Sequence, residues 1–366
     1  IFIVKIKNIM KLCILGDGLT SLSLAKSLVN KGIFVDIFLN KKFLKHDKIR
    51  TIGISKKNLD FFNKNISDIK KFSWNINKIE IYSDNLPNEK ILNFQNNNLP
   101  LFAIIKNYDL KKYLLSKLNK NKFFNFKNKN NFQNFNFEDY KLIINCDSYN
   151  AITNKFFFKK IKKNYNSYAY TAIIKHKELR NNNVASQTFT ERGPIAFLPI
   201  SERETSVVYS IQGNKNLDLK KLIKKYNTKY TITKFSELAS FELKSSNLRS
   251  YYYKNILAFG DLLHKLHPLA GQGFNMSLRD IKDISELIKF KLDHGLDLDS
   301  SICVDFEKKT KHKNYLFSNG VDFVYEFFKL ESKMKNDFFS KSIQFFGKNK
   351  FLNRSFEKIA NSGLVI

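Results

Sequence analysis

Residues 11 to 39 constrain the fold of this 366-residue chain more than any other stretch. Lys11 to Leu15 is a short apolar run. Gly16-Asp17-Gly18-Leu19-Thr20-Ser21 is a turn, and Leu22 to Asn30 carries apolar residues at helical spacing, at Leu22, Ala25, Leu28 and Val29. Gly32 ends that helix, and Ile33 to Leu39 is a second apolar run. Strand, glycine turn, helix and strand make a βαβ unit, whose crossover starts a doubly wound parallel sheet. The G-x-G-x-x-S wording is weak alone, but here it sits between strand and helix, where its mechanism requires it. Gly16 allows the tight turn, Gly18 lets a pyrophosphate approach the backbone, and Ser21 is small enough for close helix–strand packing. Such folds usually end the second strand with an acid that holds ribose hydroxyls. Leu39 occupies that position, with Asn40 beside it as a poorer acceptor.

A chain of this length can form two domains and a large core, and 43% hydrophobic residues suits a globular protein. No apolar run reaches the roughly 18 residues that span a bilayer. Ile1 to Ile9 lacks the apolar core of a signal peptide. Met10 stands directly before the first strand, so these nine residues read as upstream read-through. Cys13, Cys146 and Cys303 are odd in number and far apart, which suits a reducing compartment and neither a disulfide framework nor a metal site. The net charge of +30 does not argue for nucleic acid. Only 7 of the 63 basic residues are Arg, and Asn occurs 43 times, as A/T-rich codons would produce. Weak attraction to anionic membrane surfaces is the better reading of the charge.

A second constellation stands at 256–292. The run Ile256-Leu257-Ala258-Phe259 feeds into Gly260-Asp261, followed by a loop with His267-Pro268, Gly271 and Gly273. An amphipathic helix is expected from Asn275 to Leu292. Its start offers unpaired N–H groups and a positive dipole end, and the glycines admit a ligand close to the backbone. Asp261, at a strand end, can accept hydrogen bonds from ligand hydroxyls. Elsewhere, Tyr108 to Leu118 reads as a helix and Asn119 to Asn136 as low-complexity Asn/Lys/Phe. Leu142 to Cys146 reads as a strand ending in Asp147. From Ser167 the pattern turns to strands, over Ala169–Lys175, Val184–Thr190, Ile195–Pro199 and Thr205–Ile211, which suggests an inserted antiparallel sheet. After Leu292 the chain reads as helical to its end, with Phe and Lys together at 321–328 and 338–346. That pattern suits an interfacial or partner-binding helix, or equally a helix packed on the first domain.

Residues 260–280, with the wording HPLAGQG-F-N-x-x-L-R-D, resemble the second flavin-binding motif of the FAD-dependent aromatic hydroxylases, most of all their ubiquinone-biosynthesis branch. Arg50 to Ser55 resembles the segment in which that family keeps an Arg near the flavin. Cys146 to Ala151 resembles its A-D-G-x-x-S motif, with Asp147 and Asn150 kept, Ser148 for the Gly, Ala151 for the Ser, and Asn154 where an Arg is usual. FTERGPIAFLPI, from Phe189, resembles its substrate-domain strand pair. The likeness covers most of residues 10 to 360.

This resemblance implies an α/β protein: a Rossmann-like FAD-binding domain, an inserted antiparallel β-sheet substrate domain and a helical C-terminal tail. The expected boundaries are 10–62, 103–162 and 250–300 for the first, 63–102 and 163–249 for the second, and 301–366 for the tail. It implies cofactor contacts from Gly16, Gly18, Ser21, Arg50, Asp261, Pro268, Gly271, Gln272, Gly273 and Asn275, Asn275 either fixing its turn or touching the ring. Phe189, Phe197 and Leu198 would share a sheet face that walls a lipophilic aromatic substrate, unless they are plain core. His267 and Pro268 are the catalytic candidates, and His264 and His267 the tempting acid–base groups, with a turn-stabilising role as the alternative. The implied reaction is hydroxylation of a polyprenyl phenol through a flavin C4a-hydroperoxide, with NADPH or NADH as electron donor. No metal is implied. The implied setting is a cytoplasmic protein held peripherally at the inner face of a membrane, with partners in a biosynthetic complex. Two alternatives stay open: a related flavoprotein that oxidises or reduces another lipophilic substrate, and a degenerate flavoprotein scaffold.

Overall fold

The computed structural model describes residues 11–39, 48–87, 89–95, 99–128, 137–213, 218–267, 271–334 and 337–348. The chain opens as its first motif requires. Strand β1 (Lys11–Leu15) leads into helix α1 (Leu19–Val29), and β2 (Phe34–Leu39) returns parallel to β1 in the register Lys11↔Phe34 to Leu15↔Phe38. The helix begins at Leu19, three residues before the first residue of the apolar stripe, because Gly18 is already extended (φ −77°, ψ 170°) and serves as its N-cap. Strand β3 (Thr51–Ser55) and helix α2 (Lys56–Asn65) follow, then the short strands β4 (Trp74–Ile76), β5 (Lys78–Ser83), β6 (Leu92–Gln95) and β7 (Phe102–Lys106), helix α3 (Asn107–Asn119) and strand β8 (Phe124–Asn128).

Strand β8 corrects the low-complexity reading of that region: it pairs parallel with β2, Val35↔Phe124 to Leu39↔Asn128, and forms one edge of the first sheet. Its alternating Phe residues, packed against the core, carry the strand where composition alone reads as linker. Strand β9 (Ile143–Asn145) and helix α4 (Ala151–Phe156) complete this half.

A 17-residue strand, β10 (Lys160–His176), then crosses into the second sheet, followed by β11 (Val184–Thr190), β12 (Gly193–Pro199), β13 (Glu204–Gln212), helix α5 (Leu219–Tyr226), β14 (Ile232–Phe235) and β15 (Ala239–Leu248). Strands β16 (Tyr252–Tyr253) and β17 (Ile256–Ala258) return to the first sheet, whose order is β16-β17-β9-β1-β2-β8. The two-residue β18 (His264–Lys265) pairs back onto β15. Helices α6 (Gln272–Asp293), α7 (Ser301–Met334) and α8 (Phe338–Lys348) end the described chain.

The second sheet runs β18-β15-β10-β13-β12-β11-β5-β6, with β14 on β10. It is antiparallel except where β5 meets β11 in parallel. β3, β7 and β4 form a small third sheet. The largest core lies around the first sheet, under α1, α3 and α6, and includes Leu22, Leu28, Ile37, Leu114, Ile144, Phe259 and Ile284. Among the described residues no helix is long and apolar enough to cross a membrane.

One expectation about the second sheet does not hold. Phe189, Phe197 and Leu198 do not share a face. Successive residues of a strand point to opposite sides, so neighbours Phe197 and Leu198 are separated by the sheet itself. Phe197 is buried with Tyr209, Leu219 and Ile223 beneath α5. Leu198 packs on the other side with Ile76 and Phe102. Phe189, opposite Pro194, takes the same side as Leu198 but stacks on Phe328 of α7, ring centroids 3.5 Å apart.

Candidate cofactor site

The glycine turns from opposite ends of the sequence meet at the carboxyl ends of β1, β9 and β17. Gly16 follows β1 with φ +126°, and a Cβ built there would lie 3.1 Å from Ser21 Oγ and 3.3 Å from the backbone N of Asp147. Ser21 is buried and partners the Cys146 thiol, which burial pushes up to about 12. Gly260 also needs the left-handed region (φ +63°), and a Cβ on it would meet Thr20 Cγ2 at 2.9 Å. The first turn of α1 is thus closely packed by Gly260 on one side and the β9–α4 turn on another. Gly18 faces open space, and no side chain caps the helix that it starts. Its first N–H groups stay available, as an anion requires.

Asp261 stands beside this helix start in the 3₁₀ turn Gly260–Leu262. It is exposed and forms no hydrogen bond or ion pair with the described residues. The turn after β9 spends its polar atoms locally. Asn150 caps α4 by accepting from Thr153 N–H at 2.8 Å, and Asp147 accepts from Tyr149 N–H at 2.8 Å. Asn154 is exposed.

At the other end of the loop, Gly271 (φ +63°) starts α6 with no side-chain cap, and a Cβ there would lie 3.4 Å from Gly53 N. Asn275 joins the two segments. Its Oδ1 accepts from Ser55 N–H and from Asn58 Nδ2, both at 2.9 Å, while its Nδ2 donates to Gly53 O at 2.8 Å and Gly271 O at 3.2 Å. Asn275 therefore fixes the turn, with its amide spent on protein partners. Gln272 is buried with Oε1 lacking a partner among the described residues, and a Cβ at Gly273 would meet open space. Gly53 was not singled out from the sequence. A lone glycine among the β-branched neighbours of Thr51-Ile52-Gly53-Ile54 is the signal for such a close backbone approach.

Arg50 is exposed at the start of β3, its guanidinium 5.1 Å from the Phe241 ring of the second sheet. Thr51 Oγ1 donates to Ser206 Oγ at 2.8 Å, so β3 bridges the two sheets. His264 and His267 differ. His264 pairs through Nε2 with buried Asp280, which also accepts from Asn314 Nδ2 at 3.0 Å, tying β18, α6 and α7 together. His267 is fully buried between the rings of Tyr165 (4.8 Å) and Tyr325 (4.3 Å), with neither nitrogen bonded among the described residues. Burial pulls its pKa down to about 3, with Lys163 adding to the effect, so the imidazole is neutral. Pro268 lies outside the described residues. Phe189 borders a groove of about 260 Å³ between the β11–β12 hairpin and α7, shared with Arg192, Tyr325, Phe328 and Lys333.

These residues fit a flavin dinucleotide where the two motifs converge. An uncapped helix start is aligned with a free carboxylate, and a second uncapped helix holds an orphaned buried amide oxygen. The fit lacks one part. β2 ends at Leu39, and its only carboxylate, Asp36, is buried and committed to Lys11 at 2.7 Å and to the Tyr140 hydroxyl at 2.5 Å. Among the described residues no cluster of metal-ligating side chains occurs.

No protein-family model matches the chain. In sequence it is similar to the ubiquinone biosynthesis monooxygenase COQ6, mitochondrial, of Schizosaccharomyces pombe, 23% identical over 242 residues, 52% of this chain and 50% of that protein. The Homo sapiens protein of the same name is 26% identical over 204 residues, 44% of each chain. The 3-demethoxyubiquinol 3-hydroxylase of Escherichia coli (strain K12) is 24% identical over 197 residues, 50% of each. The chain thus spans about half the length of the curated relatives that it matches. Among solved structures, p-nitrophenol 4-monooxygenase PnpA from Pseudomonas putida DLL-E4 superposes with a TM-score of 0.75 at 11% identity, over 96% of this chain and 98% of that one. A Klebsiella pneumoniae HpxO variant complexed with FAD gives 0.74 at 12% identity, over 96% and 99%. The fold is that of these monooxygenases: a parallel α/β domain carrying a large second sheet and closed by C-terminal helices.

Proposed function

We propose that this chain is an FAD-dependent monooxygenase that hydroxylates the ring of a lipophilic, prenylated phenol in ubiquinone biosynthesis. One observation carries the reading. Gly16–Ser21 and Gly260–Asp261, more than 230 residues apart in sequence, pack against each other and leave an open helix start and an unpaired carboxylate side by side. The relatives named for ubiquinone synthesis support the substrate class.

When bound, FAD supplies the activation of O2 that places one oxygen atom on an electron-rich ring. The protein would hold it as follows. The N–H groups at the start of α1 take the pyrophosphate, and Asp261 accepts from the ribityl hydroxyls. The N–H groups at the start of α6, behind Gly271, face developing negative charge on the ring edge. Gln272 offers its free amide oxygen there. Asn275 keeps that helix start locked to Gly53. His267, held neutral, adds no charge near the ring and stiffens the wall with Tyr165 and Tyr325. NADPH or NADH is the electron donor in this reading. The protein works peripherally at the inner face of a membrane, where a prenylated phenol resides, beside partners of a biosynthetic complex.

The test is the absorbance of the protein purified without added cofactor. Bands near roughly 370 and 450 nm, with FAD released on denaturation, are the expected result. A ring-hydroxylated product from a prenylphenol, with NADPH or NADH consumed, is expected next. A colourless chain that cannot be reconstituted with FAD would overturn the proposal in favour of a scaffold that has lost its cofactor, with Leu39 as the place to look.

A further inference from the structure

Helix α7 is 34 residues long, and only part of it is covered by the rest of the molecule. Its inner side contributes Phe306, Phe317, Tyr325 and Phe328 to the core. At 100° per residue, Lys308, Tyr315, Phe323, Leu330 and Met334 fall within one third of the helix circumference, and all are exposed. Phe323 is 69% exposed, Met334 56% and Leu330 50%, high values for large apolar side chains in a row. The stripe from Lys308 to Met334 is about 39 Å long. At its N-terminal end lies a groove of about 830 Å³ between α7, β10, β15 and β16, where Ile161, Tyr252 and Tyr315 stand among Arg249, Lys308 and His312.

Glu326 lies on this face, 43% exposed and paired with Lys163 and Lys329, so the charge left unpaired along it is positive. The acids of α7 after Phe306 are Glu307, Asp322, Glu326 and Glu331, and each has a protein partner. Glu307 meets Lys311 and Tyr251 N–H, Asp322 meets the Tyr165 hydroxyl, Glu326 meets Lys163 and Lys329, and Glu331 accepts from Ser340 N–H. Arg249, Lys308 and Lys333 form no ion pair among the described residues. An apolar stripe interrupted by Asn319 and the paired Glu326, and edged by uncompensated cations, has the physical form of a helix lying in the interface plane of an anionic bilayer.

We propose that the outer face of α7, with the groove at its start, docks on the surface of an anionic lipid bilayer. This assigns residues to the peripheral membrane contact in the reading above. It uses no flavin chemistry, so vesicle binding can fail while the flavin spectrum stands, and the reverse.

The test is flotation of the full chain with vesicles of phosphatidylcholine alone or with phosphatidylglycerol added. The expected result is binding to the anionic vesicles, weakened by salt, and little to the neutral ones. Phe323→Asp with Leu330→Asp should abolish it. Lys308→Glu with Lys333→Glu should weaken it at least roughly tenfold. Both variants should keep the circular dichroism and flavin content of the parent. Failure of the parent to float at low salt would overturn the proposal, as would variants that bind like the parent. So would a parent dimer that the Phe323/Leu330 variant converts to monomer, because the face would then join two copies of the chain.

Discussion

Asp261 and Asn275 lie fourteen residues apart in one motif, yet the structure gives them opposite environments. Asp261 is exposed and unpaired among the described residues, so its replacement costs the fold little. Asp261→Ala is expected to give a folded protein without flavin, read from the ratio of roughly 450 nm to 280 nm absorbance beside an unchanged circular dichroism spectrum. Asn275 satisfies the N–H of Ser55 and the carbonyl of Gly53 while buried itself. Leaving those groups unpaired costs about 1–3 kcal/mol each, so Asn275→Ala should lower denaturant stability by about 2–6 kcal/mol, whether or not flavin is present. His267 carries a pH signature. Its imidazole is neutral inside the fold down to about 3 but titrates near its ordinary 6.5 in the unfolded chain. The unfolded state therefore binds the proton first, and stability should fall as pH drops from about 6.5 toward 3, by about 1.4 kcal/mol per pH unit. Urea titrations across that range should show a shallower fall for His267→Gln, and an equal fall would rule the assignment out.

At the level of elements, strand and helix types follow from local pattern, while their pairing does not. The alternation in Val184–Thr190 and Ile195–Pro199 predicts two strands; the second begins two residues earlier, at Gly193, and a tight turn joins it to the first. Gly193 shows how tightly that hairpin is packed, since a Cβ at its φ of +124° would sit 2.2 Å from Ser210 O on β13. Gly193→Ala combines that overlap with a backbone conformation that L residues avoid. It should cost more than about 2 kcal/mol, visible as a lowered thermal midpoint. The strand β8 was hidden in an Asn/Lys/Phe stretch because composition masks a five-residue alternation. The length of β10 was hidden too, because Lys160–Asn164 is polar and becomes a strand only by pairing with Lys244–Leu248 of β15.

For the whole molecule, β10 matters most. It pairs with β13 and β15 in the second sheet, and its first residues emerge directly from the first domain. Thr51 to Ser206 and β18 to β15 add further ties. The two sheets should unfold together, and scanning calorimetry is expected to show one cooperative transition, with two resolved peaks as the contrary result. The net charge of +30 belongs to this scale as well. Spread over Lys-rich loops it says little, but the structure gathers exposed apolar residues and unpaired cations on α7, and that gives the charge a direction.

The sequence by itself determined the βαβ opening, the glycine turns and the helices between Leu292 and Lys348. Each of these rests on contacts within a few residues, such as a strand leading into a turn or a glycine permitting positive φ. Only the tertiary structure decided which residues remain free. Asp261 is unpaired, Asn275 is consumed by Gly53 and Ser55, His267 is sealed between two tyrosines, and Phe197 is turned away from Leu198. Availability to a ligand depends on partners hundreds of residues away, and those partners are brought near only when the sheets pack.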